Sequence, residues 1–145
     1  KVMNYAILRL RSPVGVGMPK NKILTVFIVK CLKNENLILL GKGGRMQNYI
    51  DVRDVAAAVE CSIQSNSHGV YNIAAEQSYS NLELAEMCKS VLQSKSEILF
   101  DGVDVDEEVK WVYSTQKAKE YLHFTAKIPL ERTINDIAHS LQAYL

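Results

Sequence analysis

The sequence predicts an α/β fold. Short apolar runs of β-branched and aromatic residues alternate with longer segments whose apolar residues recur at helical spacing, and Gly, Pro or polar clusters separate them. That alternation builds sheets covered by helices. Residues 5–10 read as a buried strand, and Pro and Gly break it over residues 12–17. Residues 23–34, ILTVFIVKCLKN, carry apolar positions at helical spacing. Residues 37–40 form a short strand and residues 41–44 a glycine-rich turn. Residues 49–52 are extended, and Asp51 or Arg53 leads into a helix ending near Gln64. Asp51 and Asp54 suit the cap and the positive end of that helix better than a catalytic carboxylate pair.

Residues 65–69 are a polar loop and residues 70–74 a strand. Ser80 and Glu83 form a capping box, opening a helix that runs to about Gln93. Residues 97–100 are a strand and the acidic residues 101–108 a loop. Helices are expected at 114–122 and 130–145, the second with Pro129 near its start.

With 145 residues and 48% apolar content, the chain is long enough for one domain with its own core. The net charge of +1 comes without a basic run or an acidic tail, so nucleic acid is not an expected partner. Lys interrupts every long apolar run, so no membrane span is expected, and the opening KVMNYAILRL has no signal-peptide pattern. Cys31, Cys61 and Cys88 are odd in number and widely spaced, which predicts free thiols in a cytoplasmic protein. His68, His123 and His139 have no metal-ligand spacing. Tyr113 and Lys117 match Tyr-x-x-x-Lys, but four-residue matches arise by chance, and a partly buried Tyr beside a solvated Lys is the expectation.

Two segments carry a family resemblance. ILRLRSPVGVG at 7–17 and GKGGRMQNYIDVRDVAAA at 41–58 resemble landmarks from the C-terminal half of the extended short-chain dehydrogenase/reductase family. These are the NAD-dependent epimerases and dehydratases of nucleotide sugars. The family patterns are ILR-x-x-N-x-Y-G-P-G and G-x-G-x-x-x-R-D-F-I-x-V-x-D-V-A. VYNIAAEQSYSNLELAEMC at 70–88 and the segment 114–137 are similar to two later family segments, in the same order.

The resemblance implies a fragment of a Rossmann-like fold: the last parallel strands plus the small mixed α/β substrate lobe. Residues 1–145 would be a single C-terminal substrate-binding region, with the N-terminal NAD-binding part absent and the catalytic Tyr-x-x-x-Lys upstream of Lys1. The parent would use NAD(P) in isomerase or oxidoreductase chemistry on a nucleotide sugar, whereas this chain alone would bind no cofactor and be inactive. Its partners would be the nucleotide sugar and its own missing domain. Without that domain, exposed strand edges predict self-association. The alternative is a non-catalytic binding or interaction module derived from the same family.

The resemblance also implies substrate contacts. Ser12 stands where the family has a sugar-nucleotide-binding Asn, and Gln47 where it has a diphosphate-binding Arg. Residues 103–108, VDVDEE, hold no Arg where the family usually has a second one. Arg45, with Arg11 and Lys110, is a candidate replacement. Ile38 and Leu40 would line the base pocket through backbone groups. Phe27 would pack on the sugar or base, or else be a core aromatic.

Overall fold

The computed structural model describes residues 5–143. Strand β1 (Ala6–Leu10) lies parallel to the later strand Gly69–Ile73, with Ala6 opposite Gly69 and Leu10 opposite Ile73. The intervening chain forms β2 (Pro13–Val14), α1 (Ile23–Lys33), β3 (Leu37–Leu40), β4 (Met46–Gln47), β5 (Ile50–Asp51) and α2 (Val52–Gln64). The strand Gly69–Ile73 is β6. It is followed by β7 (Tyr79–Ser80), α3 (Asn81–Val91), β8 (Ile98–Asp101), α4 (Gln116–Leu122) and α5 (Leu130–Gln142). The end of the expected final helix, residues 144 and 145, lies outside the described residues.

Two apolar clusters hold these elements. Helices α1, α3 and α5 pack together against β3, burying Leu24, Ile28, Leu37, Leu84 and Ile134 completely. The β1–β6 pair is covered by α2 and α4 over Ile50, Ala58, Tyr71, Ile73 and Leu122. Strand β3 pairs in parallel with β8, and its side chains alternate: Leu37 and Leu39 are buried, Ile38 and Leu40 exposed.

Three short strands, β2, β4 and β7, were not expected, while β5 falls within the extended residues 49–52. β2 pairs in parallel with β5, and β4 pairs antiparallel with β7. Each is two residues long, too short for any period to show in sequence. They matter because they bring residues 12–14, 46–51 and 79–80 together at the carboxyl end of β1.

Helix ends follow local chemistry. In α3 the Glu83 N–H donates to Ser80 Oγ (3.1 Å) and the Ser80 N–H donates to Glu83 Oε2 (2.7 Å), completing the capping box. Helix α1 closes at Lys33 because Asn34 takes the left-handed conformation (φ 54°) of a C-cap. Asp51 caps α2 by accepting the Arg53 N–H at 2.8 Å. Asp54 does more than meet the helix dipole: its buried carboxylate accepts the N–H groups of Lys127 (3.0 Å) and Ile128 (2.9 Å), tying down the chain that enters α5.

All three cysteines are free, and burial pushes the Cys31 and Cys88 thiols up, away from the reactive thiolate. Among the described residues no helix is long and apolar enough to cross a membrane.

Candidate functional site

Ligands of open parallel sheets bind beyond the carboxyl ends of the strands. At that end of β1 the chain turns through Ser12 into β2, and the Ser12 carbonyl accepts the Ile50 N–H at 3.2 Å. Gln47, on β4, is thereby brought beside Ser12, whose hydroxyl donates to Gln47 Oε1 at 3.3 Å. Two residues that are 35 positions apart thus share one wall.

The wall borders a cleft of about 370 Å³ lined by Ser12, Val14, Met18, Lys22, Gln47 and Tyr49 among others. Tyr49 is only 6% exposed, and its hydroxyl has no hydrogen-bond partner. Burial raises its pKa well above the usual phenol range, so it is a neutral donor here. Lys22 stands at the rim as the N-cap of α1, whose first turn holds no acidic residue. The cation and the helix start give this side of the cleft a positive potential. Sequence reasoning did not single out Lys22; its only signal was its place just before the apolar helical run.

Arg45 is not free. Its Nε donates to Asp104 Oδ2 (2.9 Å), and its Nη2 donates to Asp104 Oδ1 (2.6 Å) and Asp106 Oδ2 (2.7 Å). The fork holds the Asp104 carboxyl below its usual range, chiefly through the Arg45 hydrogen bonds. The acidic segment expected to be a bare loop is therefore docked on the glycine-rich turn. Glu107 Oε1 completes the contact by accepting the N–H groups of Lys42 (2.5 Å) and Gly44 (3.0 Å).

Phe27 does not reach the cleft. It is 3% exposed, and α1 turns it into the core among Leu24, Ile28 and their neighbours. Ile38 and Leu40 point their side chains outward, at 54% and 58% exposure. Leu37 N–H and Gly41 N–H bond toward β8, at Glu97 O and Asp101 O. Strand alternation then turns the backbone groups of Ile38 and Leu40 to the other edge of β3, where the Leu40 carbonyl accepts the Gly43 N–H at 3.1 Å.

Tyr113 and Lys117 do not form a pair. Arg11 stacks on the Tyr113 ring, 4.1 Å from its centre, and Lys117 Nζ lies 4.8 Å from the centre of the Tyr71 ring. Tyr113 is half-buried and Lys117 exposed, as expected from sequence, and the stacking on Tyr113 occupies Arg11. Among the described residues no cluster of His, Cys, Asp and Glu could hold a metal ion. The turn at residues 41–44 does not fit a dinucleotide. It joins β3 to β4 rather than a strand to a helix, so no helix N-terminus follows it to receive a pyrophosphate.

A family model described as "NAD dependent epimerase/dehydratase family" matches residues 1–74. A UDP-glucuronic acid decarboxylase 1 from Danio rerio is 26% identical over 131 residues, spanning 89% of this chain and 31% of that protein. Its Arabidopsis thaliana namesake is 24% identical over 126 residues, spanning 86% of this chain and 29% of that protein. A UDP-glucose 4-epimerase from Thermotoga maritima, solved with UDP-glucose, superposes on 97% of this chain with a TM-score of 0.86 at 20% identity, and 47% of that chain is covered. A UDP-glucuronic acid 4-epimerase from Bacillus cereus, in complex with UDP-glucuronic acid and NAD, gives a TM-score of 0.83 at 17% identity over 97% of this chain and 46% of its own. The chain thus spans about a third of the length of these curated relatives and just under half of these solved chains. The likeness to the solved structures shows the fold: α/β with parallel strands of the Rossmann-like type.

Proposed function

The chain belongs to the NAD dependent epimerase/dehydratase family, and we propose that it is the substrate-binding part of an enzyme that acts on nucleotide sugars. The observation that carries this reading is the meeting of Ser12 and Gln47 on the wall of the cleft beyond β1. These are the two positions at which the resemblance implies polar substrate contacts. The cleft offers the Ser12 hydroxyl, the neutral Gln47 amide, the Lys22 cation and the apolar surfaces of Val14 and Met18. That is a set suited to a sugar and a phosphate over an apolar floor. The cofactor of the reaction, NAD in the parent, falls to the preceding half of the enzyme, as does the catalytic Tyr-x-x-x-Lys pair. This chain alone is inactive in that reading. The free thiols, of which Cys31 and Cys88 are buried, suit a cytoplasmic location.

Partnership with an N-terminal domain is supported by what β1 exposes. Ile7 and Leu10 on β1 are 50% and 42% exposed, Tyr5 just before it is 52% exposed, and among the described residues β1 pairs with β6 alone. Parallel strands are ordinarily covered on both faces. Tested alone, the chain will self-associate, and light scattering will show mass rising with concentration. A monomer throughout would count against a missing domain at this surface.

Gln47 and the occupied Arg45 favour a second reading, a module that kept the lobe and lost the reaction. A thermal-shift titration with UDP-, dTDP- and GDP-sugars, with NAD and NADH as controls, separates the two. Substrate-lobe function predicts a saturable shift with one nucleotide sugar and none with NAD. Gln47→Arg restores a charge-assisted contact worth about 1.5–3 kcal/mol, so it will tighten nucleotide-sugar binding at least tenfold. No binding to either protein would leave the interaction module as the reading.

A further inference from the structure

We propose that the turn at residues 41–45 is a diphosphate site held closed by the chain's own carboxylates. The proposal rests on the nucleotide-sugar reading for its ligand and on the geometry of the turn for its place.

The donors converge as an oxyanion requires. The N–H groups of Lys42 and Gly44 meet at a single oxygen, Glu107 Oε1. The backbone approaches this carboxylate closely: a Cβ on Gly41 would sit 2.8 Å from Glu107 Oε2, and one on Gly44 2.8 Å from Glu107 Cγ. Beside them the Arg45 guanidinium forks onto Asp104 and also reaches Asp106. Backbone N–H groups of a glycine-rich turn plus a guanidinium fork are the donor set that binds phosphoryl oxygens. Here three side-chain carboxylates fill it.

The loop that supplies them is held by charge. Val103 and Val105 are 80% and 89% exposed, so these two neighbouring side chains bury little apolar surface against the turn. A polyanion can displace such a strap without opening the core. Arg45 lies two residues before Gln47, and residues two apart on an extended chain share a side. A diphosphate released onto Arg45 would therefore lie on the side from which Gln47 reaches the cleft. The acidic loop thus stands where the resemblance expects an arginine, and it sets the threshold for binding.

The test uses pyrophosphate, UDP, a UDP-sugar, NAD and uridine against the chain and its D104N/D106N variant, by calorimetry. Asn keeps the loop's shape, because its side-chain oxygen can still accept the Asp106-position N–H that Asp104 Oδ1 now takes. Release of the clamp will tighten pyrophosphate and UDP at least tenfold and leave uridine unchanged. Adding Arg45→Ala will abolish the gain. E35Q/E60Q makes the same change in net charge at exposed positions and will show none. An equal affinity for pyrophosphate before and after release overturns the proposal.

A second measurement needs no variant. Saturating pyrophosphate will speed cleavage after Glu107 and Glu108 by a glutamate-specific protease, relative to chloride at the same ionic strength. An unchanged rate also overturns it. The two ideas fail separately. UDP-sugar binding without a gain on release removes the closed site and keeps the substrate lobe. A gain for pyrophosphate with no UDP-sugar binding keeps the site and removes the nucleotide-sugar reading. A gain confined to NAD, with pyrophosphate unchanged, overturns the closed site.

Discussion

Asp51→Ala will destabilise the chain by about 3 kcal/mol in urea denaturation and will flatten its loss of stability in acid. The Asp51 carboxylate is 2% exposed and accepts hydrogen bonds from Arg53 N, Nε and Nη2, each at 2.8 Å, and from the Thr133 hydroxyl at 2.6 Å. Alanine removes the cap of α2, worth about 1 kcal/mol. It also leaves the Thr133 hydroxyl buried without its acceptor, at about 1–3 kcal/mol. Arg53 keeps Asp136 at 2.8 Å, so its charge is not stranded and the cost stays near the sum of those two terms.

The pH dependence has a definite sign. Burial acts to raise the Asp51 pKa, but the hydrogen bonds from Arg53 and Thr133 outweigh it and hold it at about 2, against an ordinary 3.8. A depressed carboxylate contributes stability above its unfolded value and loses it as pH falls toward the folded one. After screening through the half-exposed Arg53, this amounts to ~1–2 kcal/mol lost between about pH 4 and pH 2. Urea midpoints of the chain and of D51A will therefore converge over that interval. A constant separation would show that Asp51 acts through packing alone.

Asn48→Leu will cost roughly 3 kcal/mol by the same measurement. Asn48 is 2% exposed, and its amide bridges β4 to the loop after β6. Nδ2 donates to Ala75 O (2.9 Å), Gln77 O (3.1 Å) and Ser78 Oγ (3.2 Å), and Oδ1 accepts the Ala75 N–H (3.0 Å). Leucine has similar bulk but satisfies none of these groups, so a backbone N–H and two carbonyls lose their partner. The loop they hold begins at the carboxyl end of β6, beside the cleft. In a chain that binds nucleotide sugars, this variant will also weaken binding at temperatures where it remains folded. Unchanged stability would mean that water replaces the amide.

Much of the fold was legible because its signals are local. The apolar spacing of residues 23–33 marks α1, the four apolar residues 37–40 mark β3, and Ser80 with Glu83 marks the start of α3. Each signal lies within a few residues of the element it specifies. The site was legible only in part. The resemblance pointed to Ser12 and Gln47, which do meet. It also pointed to Phe27, which the helix turns inward. An apolar residue on an amphipathic helix reads the same whether it faces a core or a cleft, until the neighbouring elements are in place.

By itself, then, the sequence determined the α/β class, the order of the main elements and the family. Tertiary structure alone decided which charges are free. Arg45 meets Asp104 from 59 residues away, Asp54 meets the Lys127 N–H from 73, and Asp51 meets Thr133 from 82. Such pairings leave no periodic trace. They arise when strands as short as β2, β4, β5 and β7 fold distant segments against one another. The strength of a charge contact depends on distance and burial, which exist only once the chain is packed.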